Sequence, residues 1–117
     1  MNPLLEKLED MGAEVEDTLE RLMGDEEMYL EYLKKLPENQ NILELRKAVD
    51  AGDCEQAMRE VHTLKGVALN LGILPLMDVC MDMLLDFRAG NKEEALAQID
   101  GVEACFREWT QAIEAFK

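Results

Sequence analysis

No apolar run in this chain approaches the roughly 18 residues that a helix needs to cross a bilayer, and its first residues hold acids where a secretory leader would be basic and apolar. The expected setting is therefore the cytoplasm. Basic residues are scarce, 12 Lys and Arg against 26 Asp and Glu, for a formal net charge of −14. So acidic a surface repels phosphate backbones and anionic lipid, which removes nucleic acid and membrane from the expected partners. The three cysteines, Cys54, Cys80 and Cys105, are odd in number and form no C-x-x-C pair. With one histidine in the whole chain they offer no recognisable ligand set, so no metal is expected, and each thiol is read as a reduced core residue. Aromatics amount to 5% and alternating polar and apolar runs are missing, which argues against sheets.

What is abundant is Leu, Met, Ala, Glu and Lys, the composition of helices. A chain of 117 residues fits one domain, here expected to be all-α, an antiparallel four-helix bundle preceded by one or two short helices. Residues 1–24 form the short arm and residues 25–117 the bundle. In the arm, Asn2 and Pro3 start a helix whose face is Leu4, Leu5, Leu8 and Met11, and this piece either packs on the bundle or frays. A second short helix carries Val15, Leu19 and Leu22. Asp25 caps the next, which presents Met28, Tyr29, Leu30, Leu33 and Leu36. Pro37 breaks it, and Ile42, Leu45 and Val49 lie on a rotated face beyond, so an interruption is expected from Leu36 to Asn39.

Two joints are built alike, Ala51 to Ala57 and Ala89 to Ala95. In each a glycine ends one helix, Asp53 or Asn91 caps the following one, and Gln56 or Glu94 stands where a capping box needs it. After Pro75, Leu76, Cys80, Met83, Leu84 and Phe87 face inward, while Asp78, Asp82 and Asp86 recur outside as either a solvated face or a cation site. The last helix is expected to run unbroken through Ala95, Ile99, Val102, Phe106, Trp109, Ile113 and Phe116.

Between the two joints lies the stretch Met58 to Gly72. Cys54, Ala57, Val61, Leu64, Ala68 and Leu71 follow steps of 3, 4, 3, 4 and 3, the stripe of a helix that faces a core. At about 100° per residue, His62 points roughly 130° from the middle of that stripe, toward water. Lys65 and Gly66 fall three and four residues later and share its surface patch. A glycine inside a helix costs about 1 kcal/mol relative to alanine, so Gly66 needs a reason. Clearance is one: a bare spot one turn beyond the imidazole admits a large partner, and the Lys65 ammonium is placed to meet a phosphoryl group. Met58 and Leu69, a turn either side, are either edges of the core or an apolar docking ring.

The run H-T-L-K-G-V-A-L-N-L-G, His62 to Gly72, resembles the signature of histidine-containing phosphotransfer (HPt) domains, H-x-[hydrophobic]-K-G-x-[small]-x-x-[hydrophobic]-G. Chance placement of one His, one Lys and two Gly at these offsets is on the order of one in a thousand for a chain of this length. The resemblance implies a phosphorelay intermediate. His62 accepts a phosphoryl group from a receiver-domain aspartate and passes it to another, Lys65 supports the phosphate, Gly66 gives clearance, Met58 and Leu69 dock the partner, and Gly72 ends the helix. It further implies a monomer with no cofactor and no kinase activity of its own, the Mg²⁺ sitting on the receiver of a response regulator or hybrid kinase. One position departs from the family: where many members carry a polar residue, often glutamine, on the following helix, this chain aligns Leu84.

Two rivals remain at this point. One is a non-catalytic adaptor that keeps the HPt shape and docks receivers without exchanging phosphate; the other is the dimerisation domain of a histidine kinase, whose ATP-binding domain is not present. The leading Met1 suits a free-standing short protein, and a piece cut from a larger hybrid kinase is the alternative.

Overall fold

Apolar spacing becomes helix after helix in the computed structural model, which describes residues 2–116, and no strand occurs among them. The elements are α1 (Pro3–Asp10), α2 (Val15–Arg21), α3 (Glu26–Lys35), a 3₁₀ turn (Leu36–Glu38), α4 (Gln40–Asp50), α5 (Cys54–Asn70), α6 (Leu74–Arg88), α7 (Lys92–Ala97) and α8 (Ile99–Glu114). The four walls of the bundle are α3 with α4, α5, α6, and α7 with α8; α5 packs most extensively on α4 and α6. The body measures 43 × 23 × 20 Å. The outer limits expected for the two segments, Met1 and Lys117, lie outside the described residues.

Leu4, Leu5 and Leu8 are buried, so α1 packs down, chiefly on α8, and joins the common core. That core also takes Tyr29, Leu33, Leu45, Val61, Leu64, Leu76, Met83, Leu84, Trp109 and Ile113. The break around Pro37 appears where expected. Asn39 turns extended at φ −63 and ψ 126, and its Oδ1 accepts from the Ile42 amide at 3.1 Å, restarting the helix. Asn2, Asp25 and Asp53 cap α1, α3 and α5 in the same way, at 2.8, 3.0 and 3.1 Å.

Several expectations need correction. Asn91 makes no side-chain cap; its Nδ2 leans toward Asp86 Oδ1 at 3.5 Å instead. Gln56 does not close a capping box, because its amide donates to Glu60 Oε1 at 2.8 Å. The last helix is interrupted at Gln98, whose side chain donates to Asp86 on α6 and to the Glu94 carbonyl, while its own amide tightens onto Ala95 O at 3.1 Å. Ala95, Ile99 and Val102 stay buried across the break, so the stripe survives it. Phe116 follows the stripe numerically but lies past the end of α8 and is 45% exposed. On α3 the inward face is narrower than its composition suggests: Met28 is exposed and Leu30 only partly covered. On α4, Ala48 takes the buried position and Val49 its edge. Of the cysteines, only Cys80 is fully buried; Cys54 and Cys105 sit at the core's margin, and all three are free thiols.

Across the bundle, Arg46 of α4 reaches α8, donating to Glu103 and to Asp100 Oδ1 at 2.8 Å, and also contacts Asp50 at 3.4 Å. These carboxylates push the guanidinium above its ordinary value. Solvent screens the cluster, so its main effect is to fix which residues of α4 and α8 face each other.

Candidate functional site

The stripe of α5 is buried as its spacing requires: Ala57, Val61, Leu64 and Ala68 are closed off completely and Leu71 nearly so. Burial of that face against α4 and α6 turns the opposite one outward. His62 stands there, exposed, with no side-chain hydrogen bond among the described residues. Lys65, one turn on, is half-buried and makes no ion pair among the described residues. Gly66 has ordinary helical backbone, and a Cβ placed on it meets nothing within 4 Å. Neither backbone strain nor packing calls for a glycine at this position.

A shallow depression opens beside the imidazole between α5 and α6, lined by Glu55, Met58, Arg59, Thr63, Leu84 and Arg88 together with His62. Met58 thus shares a hollow with the histidine, and Leu84, fully buried, lies in it on the α6 side. Leu69 does not join this hollow. It is 46% exposed and borders a separate one at the C-terminal end of α5, with Glu14, Asp17, Glu20, Arg21 and Leu74. Arg59 and Arg88 were not singled out from the sequence. Their places depend on how α6 lies across α5, and nothing in their local spacing signals it.

Charge is uneven here. Arg59 is tied to Glu55 at 3.2 Å and also bonds Gln56, whereas Arg88 and Lys65 have no carboxylate partner among the described residues. In a chain of net charge −14, two uncommitted cations near one exposed imidazole form a local spot suited to an anion. Among the described residues no cluster of His, Cys, Asp and Glu is arranged to hold a metal, and no helix is long and apolar enough to cross a membrane.

The far end of α5 is anchored by neighbours. Gly72 takes φ +73, the left-handed turn that lets the Ile73 amide reach back to Ala68 O at 2.9 Å. Its carbonyl accepts from the Glu14 amide at 2.8 Å, and a Cβ on it would overlap Thr18 Oγ1. The buried Tyr29 hydroxyl donates to Leu71 O at 2.6 Å, and Arg21 Nη2 donates to Leu69 O at 3.4 Å. The carbonyls a helix leaves unpaired at its end are thereby satisfied by α2 and α3.

No curated protein and no solved structure matches this chain. A family model described as Hpt domain matches residues 4–117, nearly its whole length. An all-helical bundle holding up an exposed histidine, and a family match that spans it, lead to one conclusion: the chain belongs to the Hpt domain family, whose members serve phosphotransfer in two-component signalling and interact with receiver domains.

Proposed function

We propose that this protein is the phosphohistidine intermediate of a multi-step phosphorelay, with His62 as the residue that carries the group. The supporting observation is the arrangement on α5: an exposed imidazole, open space over Gly66, and the uncommitted Lys65 ammonium within one turn. The lone pair of Nε2, the nitrogen that projects furthest, attacks the phosphorus of an aspartyl phosphate on a receiver. The P–N bond forms as the bond from phosphorus to the aspartyl oxygen breaks. The carboxylate leaves with that electron pair, and the Nδ1 proton of the resulting imidazolium can pass to water.

Most of the transition-state stabilisation comes from the receiver, which contributes Mg²⁺ and the acidic pocket; this chain is substrate and carrier. Lys65 supports the phosphoryl oxygens, Gly66 keeps the approach clear, and Met58 and Leu69 are the apolar contacts on either side. The protein works as a cytoplasmic monomer. In the direct test, a receiver loaded with labelled acyl phosphate transfers its label to the wild type and not to His62→Gln. Label on His62→Gln would remove His62 from the role. Receiver binding by the wild type with no label on it would favour the adaptor instead.

A further inference from the structure

A hollow of about 480 Å³ lies where the end of α3 and its 3₁₀ turn meet the last turns of α5, and it shares no residue with the depression beside His62. That volume falls in the range of small-molecule sites, which are mostly apolar with a few polar groups at fixed places. Leu36 and Leu71, both buried, form its floor, with Leu22 and Val67 partly covered at its sides. The Tyr32 ring, half-exposed, stands at its edge. Two open polar groups border the mouth. Lys35 is exposed and makes no ion pair, and the Asn70 side chain makes no hydrogen bond, among the described residues. Asn39 also lines the hollow, but its Oδ1 caps α4 and its Nδ2 donates to Asn41 at 3.2 Å. No carboxylate is in the lining, although the chain carries 26 acids and Glu14, Asp17 and Glu20 surround Leu69 in the hollow at the end of α5.

We infer that this hollow binds a small monocarboxylate with an apolar body, its charge on the Lys35 ammonium and the Asn70 amide, its body on the apolar floor and the Tyr32 ring. Charge selects this occupant over others. A cation finds no carboxylate to receive it. A doubly charged anion meets one ammonium and the repulsion of a chain of net charge −14, and a second copy of the chain brings the same charge again to the contact. One negative charge is what a single ammonium offsets, and the apolar lining takes the rest of the ligand out of water. Binding is non-covalent, so no bond forms or breaks. Its effect on function rests on the phosphohistidine reading above. Asn70 lies eight residues beyond His62, about 12 Å of helix rise, and an interface patch of about 800 Å² reaches about 16 Å from its centre. A receiver seated over His62 therefore overlies the mouth of the hollow, and a bound carboxylate competes with it. The level of a small organic acid then sets how fast His62 is loaded.

The test uses the full chain in wild-type and Lys35→Gln forms, with Lys92→Gln as a control that removes the same charge from exposed α7. The probes are phenylbutyrate and its uncharged analogue phenylbutanol, followed by amide chemical shifts. Phenylbutyrate should bind the wild type saturably, with a dissociation constant of about 1 mM or tighter, and move the amides of Tyr32, Val67, Asn70 and Leu71. Lys35→Gln should weaken it by about threefold to fivefold and Lys92→Gln should not. Phenylbutanol should bind wild type and Lys35→Gln alike, as weakly as phenylbutyrate binds Lys35→Gln. Saturating phenylbutyrate should slow labelling of His62 by a phosphorylated receiver severalfold and leave labelling by phosphoramidate, which needs no protein partner, unchanged. No saturable binding up to about 10 mM, shifts centred elsewhere, or equal affinity in wild type and Lys35→Gln would overturn the site. Unslowed receiver transfer at saturation would overturn the competition. If no receiver labels the wild type, the relay reading fails, and the shifts with their dependence on Lys35 still decide whether the hollow binds a carboxylate.

Discussion

Adding a side chain at Gly66 should make the protein more stable and a worse phosphotransfer partner at the same time. Its backbone is helical and a Cβ there has open space within 4 Å, so Gly66→Ala removes unfolded-chain freedom without creating a clash. The gain is about 1 kcal/mol, the usual difference between glycine and alanine in a helix interior. With an unfolding entropy of about 2.1 cal/mol/K per residue, a chain of 117 residues gives about 0.25 kcal/mol/K. The melting temperature should therefore rise by about 4 °C. Gly66→Gln should keep about half of that gain, glutamine being a moderately good helix former, while its amide projects over the approach to His62. Transfer from a phosphorylated receiver, followed by rapid quench, should slow about tenfold or more, corresponding to a loss of about 1.4 kcal/mol or more in the transition state. Gly101 of α8 is the control: a methyl added there also meets nothing within 4 Å, and the residue lies on an exposed face, so Gly101→Ala should stabilise without touching transfer. Destabilisation by Gly66→Ala would mean the glycine has a structural task. Unchanged transfer in a folded Gly66→Gln would mean clearance is not what it provides.

Gly72 should behave in the opposite way. At φ +73, with a methyl overlapping Thr18 Oγ1 and 3.0 Å from Glu14 O, Gly72→Ala should cost about 2 to 4 kcal/mol in chemical denaturation, and a loss under about 1 kcal/mol would contradict the packing described. Tyr29→Phe leaves Leu71 O without its buried donor and should cost about 1 to 2 kcal/mol in the same assay, with the helical circular-dichroism spectrum retained. Burial raises the Cys80 thiol from about 9 to about 12 and pushes the Tyr29 phenol up as well. Both groups are held protonated in the fold; the stability Cys80 contributes is complete below pH 9 and is lost as pH rises toward 12, and burial of Tyr29 acts in the same direction. For Cys80 the loss is on the order of 4 kcal/mol, and Cys80→Ala should flatten that limb of a stability-against-pH curve. A wild-type curve that stays level from pH 9 to 12 would refute this.

The sequence carried the bundle and its outward histidine because both depend on periodicity. The stripe from Ala57 to Leu71 decides which way α5 faces, and His62 is outward as a consequence. Local chemistry was equally readable at Asn2, Asp25 and Asp53, where a side chain caps an amide two or three residues on, whereas the cap at Asn39 was hidden in the expected break. It failed where a side chain found a more distant or different partner. Asn91 and Gln98 are both drawn to Asp86, which costs one helix its cap and splits the last helix in two. Phe116 kept the spacing but ran out of bundle to pack against. Within the site, Lys65 and Gly66 follow from position on one helix, whereas Arg88 belongs to another helix and becomes a neighbour only through packing. Gly101 also tempers any reading of a helical glycine by itself, since it has the same open space with no histidine nearby.

The end of α5 is fastened from three directions, by the Glu14 amide, the Tyr29 hydroxyl and the Arg21 guanidinium. A shaft moored like that has no freedom to slide or screw when a charged group is loaded onto its midpoint. On the relay reading proposed above, a group carried by His62 would be stored as a covalent mark on a stationary post, and the next protein in line would read the mark itself rather than a change of shape. Amide hydrogen exchange along α5 should then be the same whether the post is loaded or bare.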